Sequence, residues 1–416
     1  DNPSYEVVAF TAAQIPNISG RTYPPQLAGS RYPNGIPIYP EERLEEIIRG
    51  LNVDLAVFSY SDVSYSDVMN RAVRAMAAGA DFMLLGPGTT MLESSKPVVA
   101  VTASRTGAGK STVTRYVMGL LRGAGVRAVV VRHPMPYGVL ERQVVQRFAV
   151  KEDLDRYECT VEEREEYEPH LEAGHIVYAG VDYRRVLDQA EAEADVIVWD
   201  GGNNDYPFVR PSLWITVMDG HRPVEEQTYF PSLVNLIRAD IIVVNKSDTA
   251  PKSNLEVVGE TVRRYNGRAE IMMAGSRIFA EGLDGLAGRR VLVVEDGPSV
   301  THGGMSWGAA YMAAIRAGAE VVDPRPYAVG SIAETFRIYP HIGRVVPALG
   351  YGGEQVGDLG ETLRRAECDA IVSGTPTDLT RLVDVNKPVY RVRYELDDLG
   401  QSTILQALKS RGIIPG

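Results

Sequence analysis

The chain has 416 residues, of which 44% are hydrophobic and 23% are charged, and its formal net charge at pH 7 is -11. This length exceeds what one hydrophobic core normally holds, and the composition is that of a globular chain, so we expect about two or three α/β units and not a disordered or fibrous protein. The negative charge opposes broad attraction to nucleic acid and to anionic lipid, so neither is an expected partner.

Residues 1–95 alternate between strand patterns and helix patterns. A loop rich in Pro, Gly and Tyr separates the first strand from the rest and ends near residue 40. The predicted elements are strands at residues 7–11, 55–60 and 81–85 and helices at residues 41–49 and 66–78. This alternation predicts a small, Rossmann-like parallel α/β domain at the N-terminal end of the chain.

Residues 96–319 are predicted to form the central domain, built on a parallel sheet. Its first unit is a buried strand at residues 98–102, a glycine-rich turn and a helix at residues 111–123, which places the turn at the carboxyl end of the strand. Further strands are predicted at residues 127–131, 195–199, 213–218, 241–244, 269–273 and 291–294. Residues 140–175 are charged, mostly acidic and short of apolar periodicity, which predicts an insertion or lid over the sheet and not a core element.

Residues 320–416 repeat the α/β pattern and predict a third domain. Its strands are expected at residues 345–349, 370–373 and 389–392, with a helix at residues 357–366. The predicted fold class is therefore α/β, with a central parallel sheet flanked by smaller Rossmann-like N- and C-terminal domains.

Cysteine usage and hydropathy indicate the compartment. Only Cys159 and Cys368 occur, far apart and without a C-x-x-C spacing, which argues against a disulfide framework or a thiolate zinc site. The most apolar runs, at residues 98–103 and 241–244, have the length of strands and are too short to span a bilayer. We therefore expect a cytoplasmic protein with no signal peptide and no membrane partner.

Residues 104–112 form a candidate phosphate loop, since they match the pattern G-x-x-x-x-G-K-[ST] with Ser104 in place of the first glycine. Glycines in this turn let backbone N–H groups face a polyphosphate, and the following helix directs its positive N-terminus toward it. Lys110 would neutralise the terminal phosphate, with Arg105 as a second candidate catalytic residue. The predicted nucleotide-binding residues of the loop are Thr106, Gly107, Ala108, Gly109, Lys110, Ser111 and Thr112. The alternative is a glycine turn that only joins a strand to a helix.

A magnesium site is predicted from two residues, Ser111 after the loop lysine and Asp200 at the end of an apolar strand. A hydroxyl and a carboxylate at these positions are the protein ligands that P-loop enzymes use for Mg²⁺. Asp200 also has a simpler interpretation, as an aspartate that caps a turn. Asn203 and Asn204, with Asp205, either position substrate, water or the metal's hydration shell, or form a solvated turn.

Asn245, Lys246 and Asp248 form an N-K-x-D motif after a buried strand. The aspartate of such a motif can accept hydrogen bonds from the N1 and N2 hydrogens of guanine, which favours a guanine nucleotide. ATP and GTP both remain open as the substrate, because relatives that use ATP keep a similar motif.

Basic residues follow several other predicted strands and are candidates for binding a second substrate. If the sheet is parallel, they share one edge with the phosphate loop and could bind a small anionic metabolite, phosphorylated or carboxylated. The candidates are Arg132, His133, His221, Arg222 and His302. The alternative for each histidine is a structural hydrogen bond. His170 and His175 have no metal-ligand spacing.

Together these motifs resemble a family of archaeal and bacterial predicted GTPases related to cyclic 2,3-diphosphoglycerate synthetase. The resemblance covers nearly the whole chain. It is carried by residues 10–16, the phosphate loop, and residues 132–138, 199–205, 245–248 and 374–379. It implies the SIMIBI class of P-loop proteins, ATP-driven closure of 2,3-bisphosphoglycerate into a cyclic pyrophosphate, Mg²⁺ and a homodimer.

The leading hypothesis is a Mg²⁺-dependent phosphotransferase or ligase that uses ATP or GTP to activate a small anionic metabolite through a phosphorylated intermediate. The alternative is a regulatory or assembly GTPase that acts on a protein partner. A third hypothesis is a nucleotide-binding scaffold without catalysis.

Overall fold

The computed structural model of the chain describes residues 3–13, 18–280, 282–349 and 353–416. Within these ranges the strands form an eight-stranded sheet, a six-stranded sheet and three smaller sheets, which confirms the predicted α/β class. Residues 14–16, which end the first motif of the family resemblance, lie outside the described residues. None of the helices in these ranges combines the length and the hydropathy that crossing a bilayer requires.

The N-terminal unit is a small α/β unit in which strands and helices alternate as predicted from residue 41 onward. The stretch before residue 40, which was predicted as loop, instead contains two strands and a helix at Thr22–Tyr23, Ile36–Pro40 and Pro25–Ala28. Strand β4 pairs in parallel with β6 and β1 with β3, whereas β2 runs antiparallel to β3. The elements are β1 (Phe10–Ala12), β2 (Thr22–Tyr23), α1 (Pro25–Ala28), β3 (Ile36–Pro40), α2 (Leu44–Leu51), β4 (Leu55–Phe58), β5 (Val63–Ser64), α3 (Tyr65–Ala78), β6 (Asp81–Leu84) and α4 (Pro87–Thr90). Helix α3 is capped at its N-terminus by Ser64, whose hydroxyl accepts a hydrogen bond from the Asp67 N–H, and is followed by Gly79 in the left-handed region.

The central unit contains the eight-stranded sheet. Its elements are β7 (Val98–Ala103), α5 (Lys110–Gly123), β8 (Ala128–Arg132), β9 (Gln146–Phe148), α6 (Glu152–Arg156), α7 (Val161–Glu172), β10 (Val177–Ala179), α8 (Tyr183–Glu193), β11 (Val196–Asp200), β12 (Leu213–Asp219), β13 (Tyr229–Phe230), α9 (Ser232–Arg238), β14 (Ile241–Asn245), α10 (Lys252–Asn266) and β15 (Glu270–Met273). The strand order is β15-β14-β12-β7-β11-β8-β10-β9. All neighbours are parallel except β9, which runs antiparallel to β10. Strands β7, β11, β12 and β14 are buried along their whole length, as expected for parallel strands covered on both faces.

The acidic segment, residues 140–175, is partly a core element, so its prediction as a lid alone was wrong. Its strand β9 joins the central sheet, and Phe148, Leu154 and Tyr167 are fully buried in the main hydrophobic cluster. Helix α7 begins with a capping box in which Thr160 and Glu163 exchange hydrogen bonds. The apolar pattern was not visible because this helix buries glutamates as well as apolar residues.

The six-stranded sheet forms the C-terminal unit. Its elements are β16 (Gly275–Ala280), β17 (Arg290–Asp296), α11 (Gly297–Val300), α12 (Ala309–Arg316), β18 (Glu320–Val321), α13 (Gly330–Ile338), β19 (Val346–Ala348), α14 (Gly353–Arg365), β20 (Ala370–Ser373), α15 (Leu379–Leu382), β21 (Val389–Asp397) and α16 (Thr403–Ser410). Strand β17, which was predicted at residues 291–294 as part of the central domain, pairs with this sheet instead, and so does β16, which was not predicted as a strand. Helix α16 returns to the central core through Ile404 and Leu408. The domain boundaries themselves stay predictions.

Candidate active site

The phosphate loop follows the buried strand β7 and opens helix α5, as predicted. Gly107 and Gly109 have φ values of 79° and 101°, in the left-handed region that favours glycine. A Cβ atom on Gly109 would lie 2.0 Å from the Asn245 side chain, so this position has no room for a larger residue. Ser111 and Thr112 lie in the first turn of α5 and line the adjoining cavity, whereas Ala108 is buried beneath the loop.

Two residues of the N-K-x-D motif donate hydrogen bonds to the backbone of the phosphate loop. The Asn245 side chain donates a hydrogen bond to the Ala108 carbonyl at 2.8 Å, and Lys246 Nζ donates to the Gly107 carbonyl at 2.9 Å. Asp248 is exposed, and its carboxylate accepts a hydrogen bond from the Ser276 N–H at 3.3 Å. Two of the three motif residues therefore shape the loop, and base recognition by Asp248 stays a prediction.

Asp200 lies at the carboxyl end of β11 and is completely buried among three partners. Its Oδ1 accepts a hydrogen bond from Lys110 Nζ at 2.8 Å, and its Oδ2 contacts Arg132 Nη1 at 2.5 Å and His170 Nε2 at 3.0 Å. Burial alone would raise the pKa of Asp200, but Arg132, Lys110 and His170 outweigh it and hold the pKa well below its usual value. Asp200 is thus an ionised anchor beside the phosphate loop.

Two of the predicted substrate-binding residues have different placements around Asp200. Arg132 is buried behind Asp200 and also pairs with Glu166, and it is not part of the cavity wall. His133 lies on the wall, with its ring packed where a side chain on Gly202 would stand. Burial, together with the charges of Arg132 and Lys110, lowers the pKa of His133 to about 3, so this ring is neutral at physiological pH.

Asp62, in the loop between β4 and β5, reaches the phosphate loop from the N-terminal unit. Its Oδ1 lies 2.7 Å from Arg105 Nε, and its Oδ2 accepts hydrogen bonds from the Thr106 hydroxyl at 2.6 Å and the Thr106 N–H at 3.3 Å. Its own N–H donates to the Asn204 side chain at 2.7 Å. Asp62 was not predicted as a site residue, because its only signal in the sequence is its position after a predicted strand.

Arg105 links the central unit to the N-terminal and C-terminal units through its side-chain contacts. Besides Asp62 it pairs with Glu225 at 2.8 Å, donates to the His302 carbonyl at 3.3 Å, and stacks 3.4 Å above the Tyr229 ring. The side chain is 4% exposed, so these contacts use nearly all of its surface. A catalytic role for Arg105 stays a prediction.

The remaining predicted residues divide between the cavity and its supports. Asn203 and His302 line the cavity, and the Asn203 side chain accepts a hydrogen bond from the Thr106 hydroxyl at 3.1 Å. Asn204 is buried and donates to Ser232 at 2.7 Å. Arg222 donates to the carbonyl of Thr106 at 2.7 Å from outside the loop, and His221 contacts Thr249 at 2.9 Å. Of these two, neither is part of the cavity wall.

A cavity of about 1000 Å³ opens beside the phosphate loop and has walls of unlike charge. One wall is the loop itself, with Lys110 and its amides. A second wall, which adjoins the loop, is acidic and comes from helix α7 and the end of strand β17. Its carboxyl groups belong to Glu162, Glu165, Glu295 and Asp296. Glu295 and Asp296 follow a correctly predicted strand, so their position could have suggested a role, whereas nothing in the sequence pattern singled out Glu165.

The comparisons with known proteins point to one relative. No family model matches the chain. It is 57% identical over 410 residues to arginine synthetase ArcE from Thermococcus kodakarensis, a match that covers 98% of this chain and 92% of that protein.

Solved structures show weaker similarity. LpxK from Aquifex aeolicus in complex with ATP matches with a TM-score of 0.45 and 13% identity, covering 77% of this chain and 90% of that chain. Hydrogenase maturation factor HypB from Archaeoglobus fulgidus matches with a TM-score of 0.24 and 13% identity, covering 43% of this chain and 79% of that chain.

Proposed function

We propose that this chain, which belongs to the family of arginine synthetase ArcE, is a nucleoside-triphosphate-dependent synthetase whose product is arginine. Identity over nearly the full length of both chains supports a shared activity. The observation that carries the proposal is the cavity with a phosphate loop on one wall and buried carboxylates on the other. Such a cavity suits a triphosphate at one end and a cationic amino acid at the other.

The chemistry follows from what the product requires. A synthetase that makes a guanidino group must form a C–N bond at a carbon that loses an oxygen. Transfer of the γ-phosphoryl group to that oxygen breaks the bond to the nucleoside diphosphate and creates a phosphate leaving group. A nitrogen nucleophile then displaces phosphate and loses a proton. This is the phosphorylated intermediate that the sequence analysis expects for a ligase.

The residues of the phosphate loop would carry the first step. Lys110 is positioned to leave Asp200 and neutralise the phosphoryl group in transfer, and the loop amides would hold the β- and γ-phosphates. Ser111 and Asp200 would hold Mg²⁺, which would add charge neutralisation at the phosphates. These residues fit the ion, because the pKa of Asp200 is held well below its usual value and its Oδ1 would be free once Lys110 turned toward a nucleotide.

The finer predictions from the sequence remain alternatives. A cyclic 2,3-diphosphoglycerate synthetase would have to bind a polyanion against the acidic wall, which is electrostatically unfavourable, whereas the carboxylate of an amino acid could lie on the basic side. A regulatory GTPase is favoured only by the N-K-x-D motif, of which two residues brace the loop. ATP or GTP, a homodimer and a cytoplasmic location stay proposals. Thermal-shift melts with each nucleotide and light scattering after gel filtration test the first two.

The test runs the reaction backwards, so that the precursor need not be known. Arginine, a nucleoside diphosphate, Mg²⁺ and radiolabelled phosphate should yield labelled triphosphate, and we expect the Lys110→Ala variant to lose about 100-fold or more of this rate. Arg365→Ala, which removes an exposed ion pair with Glu361 on helix α14, is the control and should keep the wild-type rate, because neither residue lines the cavity. Wild-type protein that forms no labelled ATP or GTP with arginine, but does so with a phosphorylated metabolite, would overturn the proposal.

A further inference from the structure

The acidic wall contains three carboxyl groups with an unusual environment. Glu165 and Glu295 are 5% and 3% exposed, and Asp296 is partly open to the cavity. Among the described residues, no Lys, Arg or His forms an ion pair with any of the three. The charged groups that act most on Glu165 and Glu295 are other carboxyls, chiefly Asp296. Buried negative charge without a counter-ion is costly, so burial raises the pKa of all three groups, which keep their protons until a cation balances them.

Each of the three carboxyl groups is held in place by hydrogen bonds, but these bonds do not supply a cationic partner. Glu295 Oε1 accepts hydrogen bonds from the N–H groups of Gly308 at 3.0 Å and Tyr311 at 2.8 Å. Glu165 Oε1 accepts one from the Thr375 hydroxyl. Glu165 Oε2, in contrast, is buried without an N–H donor or a hydroxyl donor, and the Glu165 carboxyl group shares a hydrogen bond with the Asp296 carboxyl group. Two carboxyl groups can share a hydrogen bond only if one of them keeps a proton, so this pair relies on that proton in place of a cationic partner.

The backbone around Glu295 is shaped for this side chain. A Cβ atom on Gly308 would lie 2.4 Å from Glu295 Oε2, and one on Gly374 would lie 2.6 Å from the same oxygen. Two glycines, one before helix α12 and one after strand β20, thus leave the space that the carboxylate fills. A side chain at either glycine position would displace the Glu295 carboxyl group, so the surrounding backbone is specific for it.

This wall lies next to the phosphate loop. The Ser299 hydroxyl donates to Asp296, and the same hydroxyl oxygen would lie 3.3 Å from a Cβ atom on Gly107. One residue therefore separates the carboxylates from the loop that would hold the γ-phosphate. A group bound at this wall would be adjacent to the phosphoryl transfer.

We propose that Glu165, Glu295 and Asp296 form a subsite that binds the guanidinium group of arginine beside the phosphate loop. The inference rests on the proposed function and names the residues that would select its product. A planar guanidinium presents several N–H donors in a fixed fork and can serve carboxylates that stand apart. A metal ion fits less well, because the described part of the chain has no cluster of three or more His, Cys, Asp or Glu that could hold one.

The test measures arginine binding by isothermal titration calorimetry to the full chain. Glu165→Gln, Glu295→Gln and Asp296→Asn should each weaken arginine roughly 10-fold to 100-fold, because each removes one charge-assisted hydrogen bond. Affinity for Mg-nucleotide should stay within about 2-fold of wild type. Glu168→Gln is the matched control: Glu168 is a buried glutamate of the same helix that pairs with Lys151, and its variant should bind arginine like wild type.

Two arginine analogues locate the cation. Nα-acetyl-L-arginine keeps the guanidinium and lacks the α-ammonium group, so its binding should show the same losses in the three variants. L-norleucine keeps the α-ammonium group and lacks the guanidinium, so any binding should be unaffected. If norleucine binding responds to the variants and acetyl-arginine binding does not, the guanidinium assignment is wrong.

The outcomes separate this inference from the proposed function. If wild type forms triphosphate from arginine and the three variants bind arginine as well as the Glu168→Gln control does, the subsite is wrong and the function stands. If wild type neither binds arginine nor uses it, both are wrong. Melting temperatures of all variants exclude misfolding as the cause of a lost affinity.

Discussion

Asp200 and Glu295 are both buried carboxyl groups at strand ends, yet their pKa values shift in opposite directions. Burial acts on both, but Asp200 has two cationic neighbours and a histidine, which hold its pKa well below the usual value. Glu295 has backbone N–H groups and the neighbouring carboxyl of Asp296, and burial raises its pKa to about 8. The charges of the neighbouring groups, and not the depth of burial, decide whether a buried carboxyl group is stable in its ionised or its protonated form.

The raised pKa of Glu295 predicts a pH-dependent effect of Glu295→Gln on stability. Below about pH 4.5 the group is protonated in both folded and unfolded chains and has no effect. As the pH rises toward about 8, the unfolded chain releases this proton and the folded chain keeps it, so stability falls. The variant removes this loss, and we expect its free energy of unfolding to exceed that of wild type by about 4 kcal/mol at pH 8.

Urea unfolding at pH 4.5 and pH 8 measures this difference. Equal stability of the two proteins is expected at the lower pH. The same gap at both pH values would show that packing, and not ionisation, distinguishes the variant. Saturating arginine should reverse the order at pH 8, because it stabilises the wild-type carboxylate.

At the scale of elements, the phosphate loop keeps its shape through strand β14. Asn245 and Lys246 at the end of that strand hold two carbonyls of the loop, and the glycine at position 109 leaves room for the Asn245 side chain. The loop amides therefore depend on a side chain more than 130 residues away.

We predict that Asn245→Ala weakens binding of Mg-nucleotide by roughly 10-fold, because one buried hydrogen bond that shapes the loop is lost. ATP and GTP should be affected alike, as measured by calorimetry. Asp248→Ala is the companion variant: it should leave ATP binding unchanged and weaken GTP only if its carboxylate contacts the base. Unchanged affinity in Asn245→Ala would mean that the loop is held by its own backbone.

Sequence patterns predicted the elements that are locally encoded. The run of β-branched residues before Gly107 and the helix after Lys110 lie where expected, and so does Asp200 at the end of β11. Helix α7 was missed as a core element because it turns several glutamates inward, so no apolar period marks its buried face. Asp62 and Glu165 were missed because their roles depend on contacts with residues far along the chain. The spacing of apolar residues indicates which face of a helix or strand is buried. It does not indicate which residues from elsewhere in the chain contact that face.

At the scale of the whole molecule, three separate parts of the chain build one cavity. The N-terminal unit contributes Asp62, the central sheet contributes the phosphate loop, and the C-terminal sheet contributes Glu295 and Asp296. The short pairing of β5 with β13 is a second link between the first two. The units therefore cannot move far apart without opening the site.

We predict that Asp62→Ala loosens the N-terminal unit and lowers the free energy of unfolding by about 3 kcal/mol, because Arg105 stays buried with a partner missing. Glu46→Ala, which breaks an exposed ion pair with Arg43 in the same unit, should leave the stability essentially unchanged, because solvent screens this pair. Urea unfolding measures both variants, and limited proteolysis should cut the first 95 residues of Asp62→Ala sooner. A variant as stable as Glu46→Ala would show that this tie does not hold the unit.

The unlike charges of the two cavity walls have a consequence for how a small molecule enters. When the carboxyl groups of the acidic wall have lost their protons, an electric field runs between the two walls and turns a zwitterion that diffuses in before any close contact forms. A molecule with its positive group at one end and its negative group at the other therefore enters in a preferred orientation, which aligns it for reaction. A compound that is anionic throughout experiences no such torque and is repelled by the ionised carboxylates of the acidic wall. The cavity therefore selects ligands by their dipole as well as by their shape.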